Sequence, residues 1–74
     1  MFDVWFFFPD DTHIKEYENL SAEEAVEKAA QATKRPAAQV GMITKIMITD
    51  KDDYAVFIWE FGKGVVLLGY KRIY

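Results

Sequence analysis

Apolar positions recur at helical spacing over only one stretch of the chain; elsewhere they alternate with polar ones or run together. Between Ser21 and about Lys34, the positions Ala22, Ala25, Val26, Ala29, Ala30 and Thr33 return every three or four residues, which predicts one α-helix with a narrow stripe of small side chains. Its start is marked by Ser21 and, three residues on, Glu24, the pair that forms a capping box, with Leu20 one position before the cap in the place of a hydrophobic staple. Glu23, Glu24 and Glu27 near the start and Lys34 and Arg35 at the end complement the helix dipole, and Pro36 stops the helix. A stripe of this kind permits close approach to a sheet.

The remaining segments read as strands. Residues 2–8 are aromatic or β-branched apart from Asp3 and are apolar on both alternating faces, as in a central strand. Pro9-Asp10-Asp11-Thr12 supplies turn chemistry, and residues 13–18, mostly polar, pair back as a water-exposed edge strand. Beyond the helix, residues 42–49, 53–61 and 65–72 form a meander with turns at Asp50-Lys51-Asp52-Asp53 and Gly62-Lys63. The expected architecture is a single α+β domain over residues 1–74 in the order ββαβββ. It has a largely antiparallel sheet of four to five strands with one helix packed on one face.

The two meander turns set a register in which Ile48 faces Ala55, Ile46 faces Phe57, Phe57 faces Leu68 and Trp59 faces Val66. One sheet face then collects Met42, Ile46, Ile48, Phe57, Trp59, Phe61, Val66, Leu68 and Tyr70; large rings complement an alanine stripe, so the helix is assigned to this face. The other collects Ile43, Met47, Val56, Ile58, Val65 and Leu67, diluted by Lys45, Glu60, Gly69 and Lys71. Five strands at ~4.8 Å span ~24 Å, whereas a helix is only ~10 Å across. One helix therefore shields about half of one face, and the second face is expected to lie partly bare, with Trp5 or Phe7 as an aromatic anchor.

Composition sharpens this expectation. The chain is 51% hydrophobic and has no cysteine, so neither a disulfide framework nor a thiolate zinc site is available to staple it. The apolar fraction argues against disorder, and no apolar run approaches the ~20 residues of a membrane helix. The N-terminus lacks the basic region of a signal peptide, so a cytoplasmic location is expected. Small unstapled chains commonly gain stability by oligomerising, which makes homodimerisation through an apolar sheet face or edge the leading expectation. Its contact candidates are Trp5, Phe7, Ile43, Met47, Val56, Ile58, Val65 and Leu67. The bland alternative is a sheet whose excess apolar surface is covered by long side chains.

Charge changes the picture modestly. The net charge is −3, and residues 1–24 hold seven acids against one base. Asp10, Asp11, Glu16, Glu18, Glu23 and Glu24 are candidates for an acidic face, which would suit a regulatory or inhibitory polypeptide engaging a basic protein. Turn and helix-start chemistry accounts for Asp10, Asp11, Glu23 and Glu24 without any partner. His13 beside Asp10 and Asp11 falls short of a closed metal site, and no orienting partner or pocket is expected to make it a general base. Asp50, Asp52 and Asp53 lack the glycine and terminal glutamate of a calcium loop, and Gly62-Lys63-Gly64 is followed by no helix, as a phosphate loop requires. Twelve aromatic residues suggest a stacking platform for single-stranded nucleic acid, but Lys34, Arg35, Lys45, Lys63, Lys71 and Arg72 make a thin basic groove in an acidic chain. The expected function is a non-enzymatic protein interaction module with no cofactor, metal or membrane partner.

Overall fold

The computed structural model describes residues 1–68. Phe2–Phe7 forms β1, which pairs with His13–Leu20 (β2) on one side and with Lys45–Thr49 (β3) on the other. Ala55–Glu60 (β4) and Gly64–Leu68 (β5) complete a five-stranded, wholly antiparallel sheet in the order β2-β1-β3-β4-β5. Helix α1, Ala22–Thr33, follows β2, and a single turn, α2 at Pro36–Gln39, precedes β3. The α+β class and the ββαβββ order of the main elements are those expected from the hydrophobic pattern.

Local chemistry explains the boundaries. The Glu24 backbone N–H donates to Ser21 Oγ at 3.2 Å and the Ser21 N–H to Glu24 Oε1 at 3.0 Å, closing the capping box. In the β1–β2 turn, Asp10 Oδ1 accepts from the Thr12 N–H and, at 2.6 Å, from its hydroxyl. Asp50 Oδ1 does the same in the β3–β4 turn, accepting from the N–H groups of Asp52 and Tyr54. Asp11 and Asp53 take the left-handed conformation in these turns, a role that aspartate fills more readily than most side chains.

The core lies between α1 and the sheet face carrying Val4, Phe6, Ile46 and Ile48, against which Ala25, Ala29 and Ala32 are fully buried. Without long side chains on its inner stripe, the helix settles directly onto branched and aromatic sheet residues. Phe57 and Trp59 pack at the margin of this core, so the aromatic-rich face is the one beneath the helix. Arg35 closes one end, its guanidinium stacked 5.3 Å from Phe6 and donating to the Tyr17 hydroxyl at 3.0 Å.

Several expectations are corrected. Strand β3 begins at Lys45 rather than at residue 42, because Pro36 starts α2 as well as ending the preceding helix, and Gly41 turns the chain at φ 82°. Ile43 therefore belongs to no strand; it is buried in the core, its N–H bonded to the Ala37 carbonyl, and is not available as a contact residue. The β3–β4 register differs by two positions from the expected one, with Ile48 opposite Phe57 and Ile46 opposite Trp59. An even slip preserves which side chains share a face. Two bulges do not: one at Val56, between the pairs Ile48–Phe57 and Thr49–Ala55, and one at Val66, between Ile58–Leu67 and Trp59–Val65. They move Val56 and Val65 to the helix side, where Val56 packs against the core and Val65 lies beside Trp59. The expected extension of the last strand to residue 72, with Gly69, Tyr70, Lys71 and Arg72, lies outside the described residues.

Candidate functional site

Three surfaces remain from the folding of one helix onto five strands. The first is the sheet face away from α1. Pairing aligns Lys15, Trp5, Met47, Ile58 and Leu67 in one row across all five strands, and His13, Phe7, Lys45 and Glu60 in the next. Five of the eight contact candidates, Trp5, Phe7, Met47, Ile58 and Leu67, thus share this face, and all five are only half-buried by their neighbours.

The face carries its own polar cover. Lys15 Nζ sits 5.2 Å from the Trp5 ring centroid and 3.6 Å from Asp3 Oδ2, while Lys45 Nζ lies 5.0 Å over Phe7. The His13 ring stacks on Phe7 at 5.1 Å between centroids, and Trp5 Nε1 donates to Thr49 Oγ1 at 2.9 Å. Lysine stems laid along rings keep their ammonium groups wet while covering apolar surface. Lys15 and Lys45 are matched in number by Asp3 and Glu60 on the same face, so among the described residues the face forms no basic groove of the kind a nucleic-acid strand follows.

The second surface is the pair of sheet edges, which differ sharply. Edge strand β2 carries Lys15, Glu16 and Glu18 and is irregular at two points of its pairing with β1, the usual means of blunting an edge. Edge strand β5 reads Gly-Val-Val-Leu-Leu, with no charge and no proline. Val65 is 53% exposed, Val66 46% and Leu68 74%.

The third surface is a groove of about 590 Å³ on the helix side. Helix α1 packs chiefly on β3, β1 and β2, leaving β4 and β5 unroofed beside it. Phe2, Ile48, Phe57 and Leu68 form its apolar floor, Ala22 and Val26 its wall on α1, and Asp50, Lys51 and Asp52 one rim. Val26, expected on the buried stripe, is instead 57% exposed and faces this groove. Its size was the signal: at the edge of an alanine stripe, a branched side chain sits where the helix has no sheet close beneath it.

The acidic candidates separate. Asp10 and Asp11 lie in the β1–β2 turn, Glu16 and Glu18 along β2, and Glu23 and Glu24 at the start of α1. Since Phe7 pairs with His13 at one end of the hairpin and Phe2 with Leu20 at the other, the first and last pairs stand roughly 17 Å apart at the rise of a strand. Hydrogen bonds from Thr12 hold the Asp10 carboxyl below its ordinary pKa, and those from Ser21 do the same for Glu24, so both acids have local structural work. Among the described residues no group of three or more histidine, aspartate or glutamate side chains is placed to hold a metal ion, and no helix is long and apolar enough to cross a membrane. Comparison with family models, with curated proteins and with solved structures finds no match.

Proposed function

We propose that this chain is a non-enzymatic interaction module that homodimerises by antiparallel pairing of β5 with its counterpart in a second copy. The observation that carries the reading is the contrast between the two edges: one is charged and irregular at two points, the other apolar and exposed, with a single bulge at Val66 and no charged residue or proline among its described residues. Antiparallel pairing of identical edges is isologous and closes at two copies. It would continue the sheet to ten strands and satisfy outward-facing backbone groups of β5, each hydrogen bond being worth about 1 kcal/mol net, while placing Val65, Val66 and Leu68 against their symmetry mates. The face opposite α1 is a weaker site, because its lysines and His13 already lie across its rings. The acidic, cysteine-free composition fits the cytoplasm as the compartment proposed for the module.

Sedimentation equilibrium or light scattering tests the reading. A dimer is expected below about 100 µM, and Val66→Lys, at an exposed position, is expected to give a folded monomer by circular dichroism. A wild-type monomer throughout that range refutes the proposal. So does a dimer that survives Val66→Lys but is lost in a folded Ile58→Lys variant, which transfers the interface to the face opposite α1.

A further inference from the structure

The sheet face away from α1 is uneven from edge to edge. Its covering contacts, Lys15 over Trp5, Lys45 over Phe7 and His13 stacked on Phe7, are all made to rings of β1, the strand next to edge strand β2. Toward β5 the row across the strands holds Met47, Ile58 and Leu67, uncharged and half-buried. The charges of the face are largely paired within the chain. Lys15 meets Asp3 at 3.6 Å and Glu18 at 3.8 Å, and Glu60 meets Lys63 at 3.5 Å. Such a surface offers a partner apolar area and little net charge, which suits a surface of its own kind better than a strongly charged one.

We propose that two dimers paired through β5 stack on each other by these faces, giving a closed tetramer of this chain. This rests on the β5 pairing proposed for the module. Antiparallel pairing of identical edges puts the twofold axis perpendicular to the sheet, so both helices lie on one side and both uncovered faces on the other. Leu67 then stands beside the seam, and Met47, Ile58 and Leu67 of the two copies form one apolar centre, with the lysine-covered rings to either side. That is the layout of a protein interface, an apolar core inside a polar rim. Size selects the dimer as the unit that stacks. Five strands of about five residues offer a face of ~400 Å², so two single chains would bury ~800 Å² in total, below the ~1,000 Å² of a specific interface. Ten strands offer ~800 Å² and bury ~1,600 Å² in total, the standard size. Twisted sheets stacked face to face align within about 30° of each other. They touch most closely at the middle, where Met47, Ile58 and Leu67 of both copies lie.

The test is sedimentation velocity of the full chain from about 10 µM to about 1 mM. The wild type is expected to pass from dimer to tetramer as concentration rises. Ile58→Lys is expected to remain a folded dimer throughout. Met47→Gln, a milder change in the same row that decides the matter if Ile58→Lys does not fold, is expected to raise the dimer–tetramer midpoint at least about tenfold, as loss of an interface core contact does. Val66→Lys is expected to stay monomeric at the highest concentration, since a single face is too small to pair alone. A wild type that stays dimeric to about 1 mM overturns the inference and leaves the β5 pairing standing, with the face open to a different molecule. A tetramer unchanged in Met47→Gln, or retained by a folded Ile58→Lys, overturns the assignment to this face. Wild-type monomers throughout, or Val66→Lys chains that still pair in an Ile58-dependent way, overturn the β5 reading, and the inference falls with it.

Discussion

Ile46→Ala is the most direct test of how this domain holds together. Ile46 is fully buried in β3, with Phe6 opposite it on β1 and Trp59 on β4, and it belongs to the cluster that includes Ala25, Ala29 and Ala32. Truncation removes three carbon groups, worth about 2.4 kcal/mol at ~0.8 kcal/mol each. A cavity term is added to the extent that the surroundings fail to collapse, and here the helix side of the site is alanine, which has no side-chain rotamer to swing inward. The total is about 3–4 kcal/mol, inside the range for large-to-small core changes. A chain of 74 residues has a stability of about 4–11 kcal/mol, so the variant should sit near the edge of folding. For a domain of this size each kcal/mol lowers Tm by about 4–8 °C, and the expected fall is about 12–32 °C by calorimetry or circular dichroism. Wild type and variant must be compared at one protein concentration, because any dimer raises Tm by mass action. The control is Ile14→Ala, on edge strand β2 and 46% exposed, where the loss should stay below about 1 kcal/mol. Equal losses at the two positions, or an Ile46→Ala shift under about 5 °C, would refute the placement of the core beneath α1.

Three further outcomes concern the helix cap and the left-handed glycines. Ser21→Ala removes one half of the capping box and should cost about 1 kcal/mol in urea titration. Glu24, whose carboxyl is held below its ordinary value of 4.5 first by the Ser21 backbone N–H, contributes stability that is present above that value and lost as pH falls through the lower folded-state pKa; Glu24→Gln should flatten that acid limb in melts run across it. Gly41 and Gly62 have nearly the same left-handed backbone, φ 82° and 84°, but a Cβ at Gly41 would lie 3.0 Å from the Phe61 ring while one at Gly62 would meet nothing. Both alanine variants should lose about 1–2 kcal/mol to the conformation, and Gly41→Ala should lose more, by chemical denaturation; equal losses would mean that Phe61 swings aside without cost.

How much of this was readable beforehand depends on the range of the interaction involved. Ser21 with Glu24 marked the start of α1, and the near-continuous apolar run at residues 2–8 marked a strand flanked on both sides. Both are encoded within a few residues. The polar character of residues 13–18 likewise marked an edge. Pro36 was readable as a stop but not as the first residue of α2, since proline suits both places and only the burial of Ala38 beneath the chain selects the second.

The candidate surfaces divide in the same way. Alternation correctly grouped Trp5, Phe7, Met47, Ile58 and Leu67 on one face, because a period of two survives any even register slip. Val56 and Val65 changed face at bulges, and nothing in the residues themselves announces a bulge: it arises where two twisted strands with turns of fixed length fail to keep step. The lateral position of α1 is also a tertiary outcome. The amount of apolar surface in excess of one helix follows from composition and strand count alone, whereas its distribution was decided by where the alanine stripe made its closest contact. That contact left β4 and β5 unroofed beside Val26, and it let Lys15, Lys45 and His13 cover the opposite face.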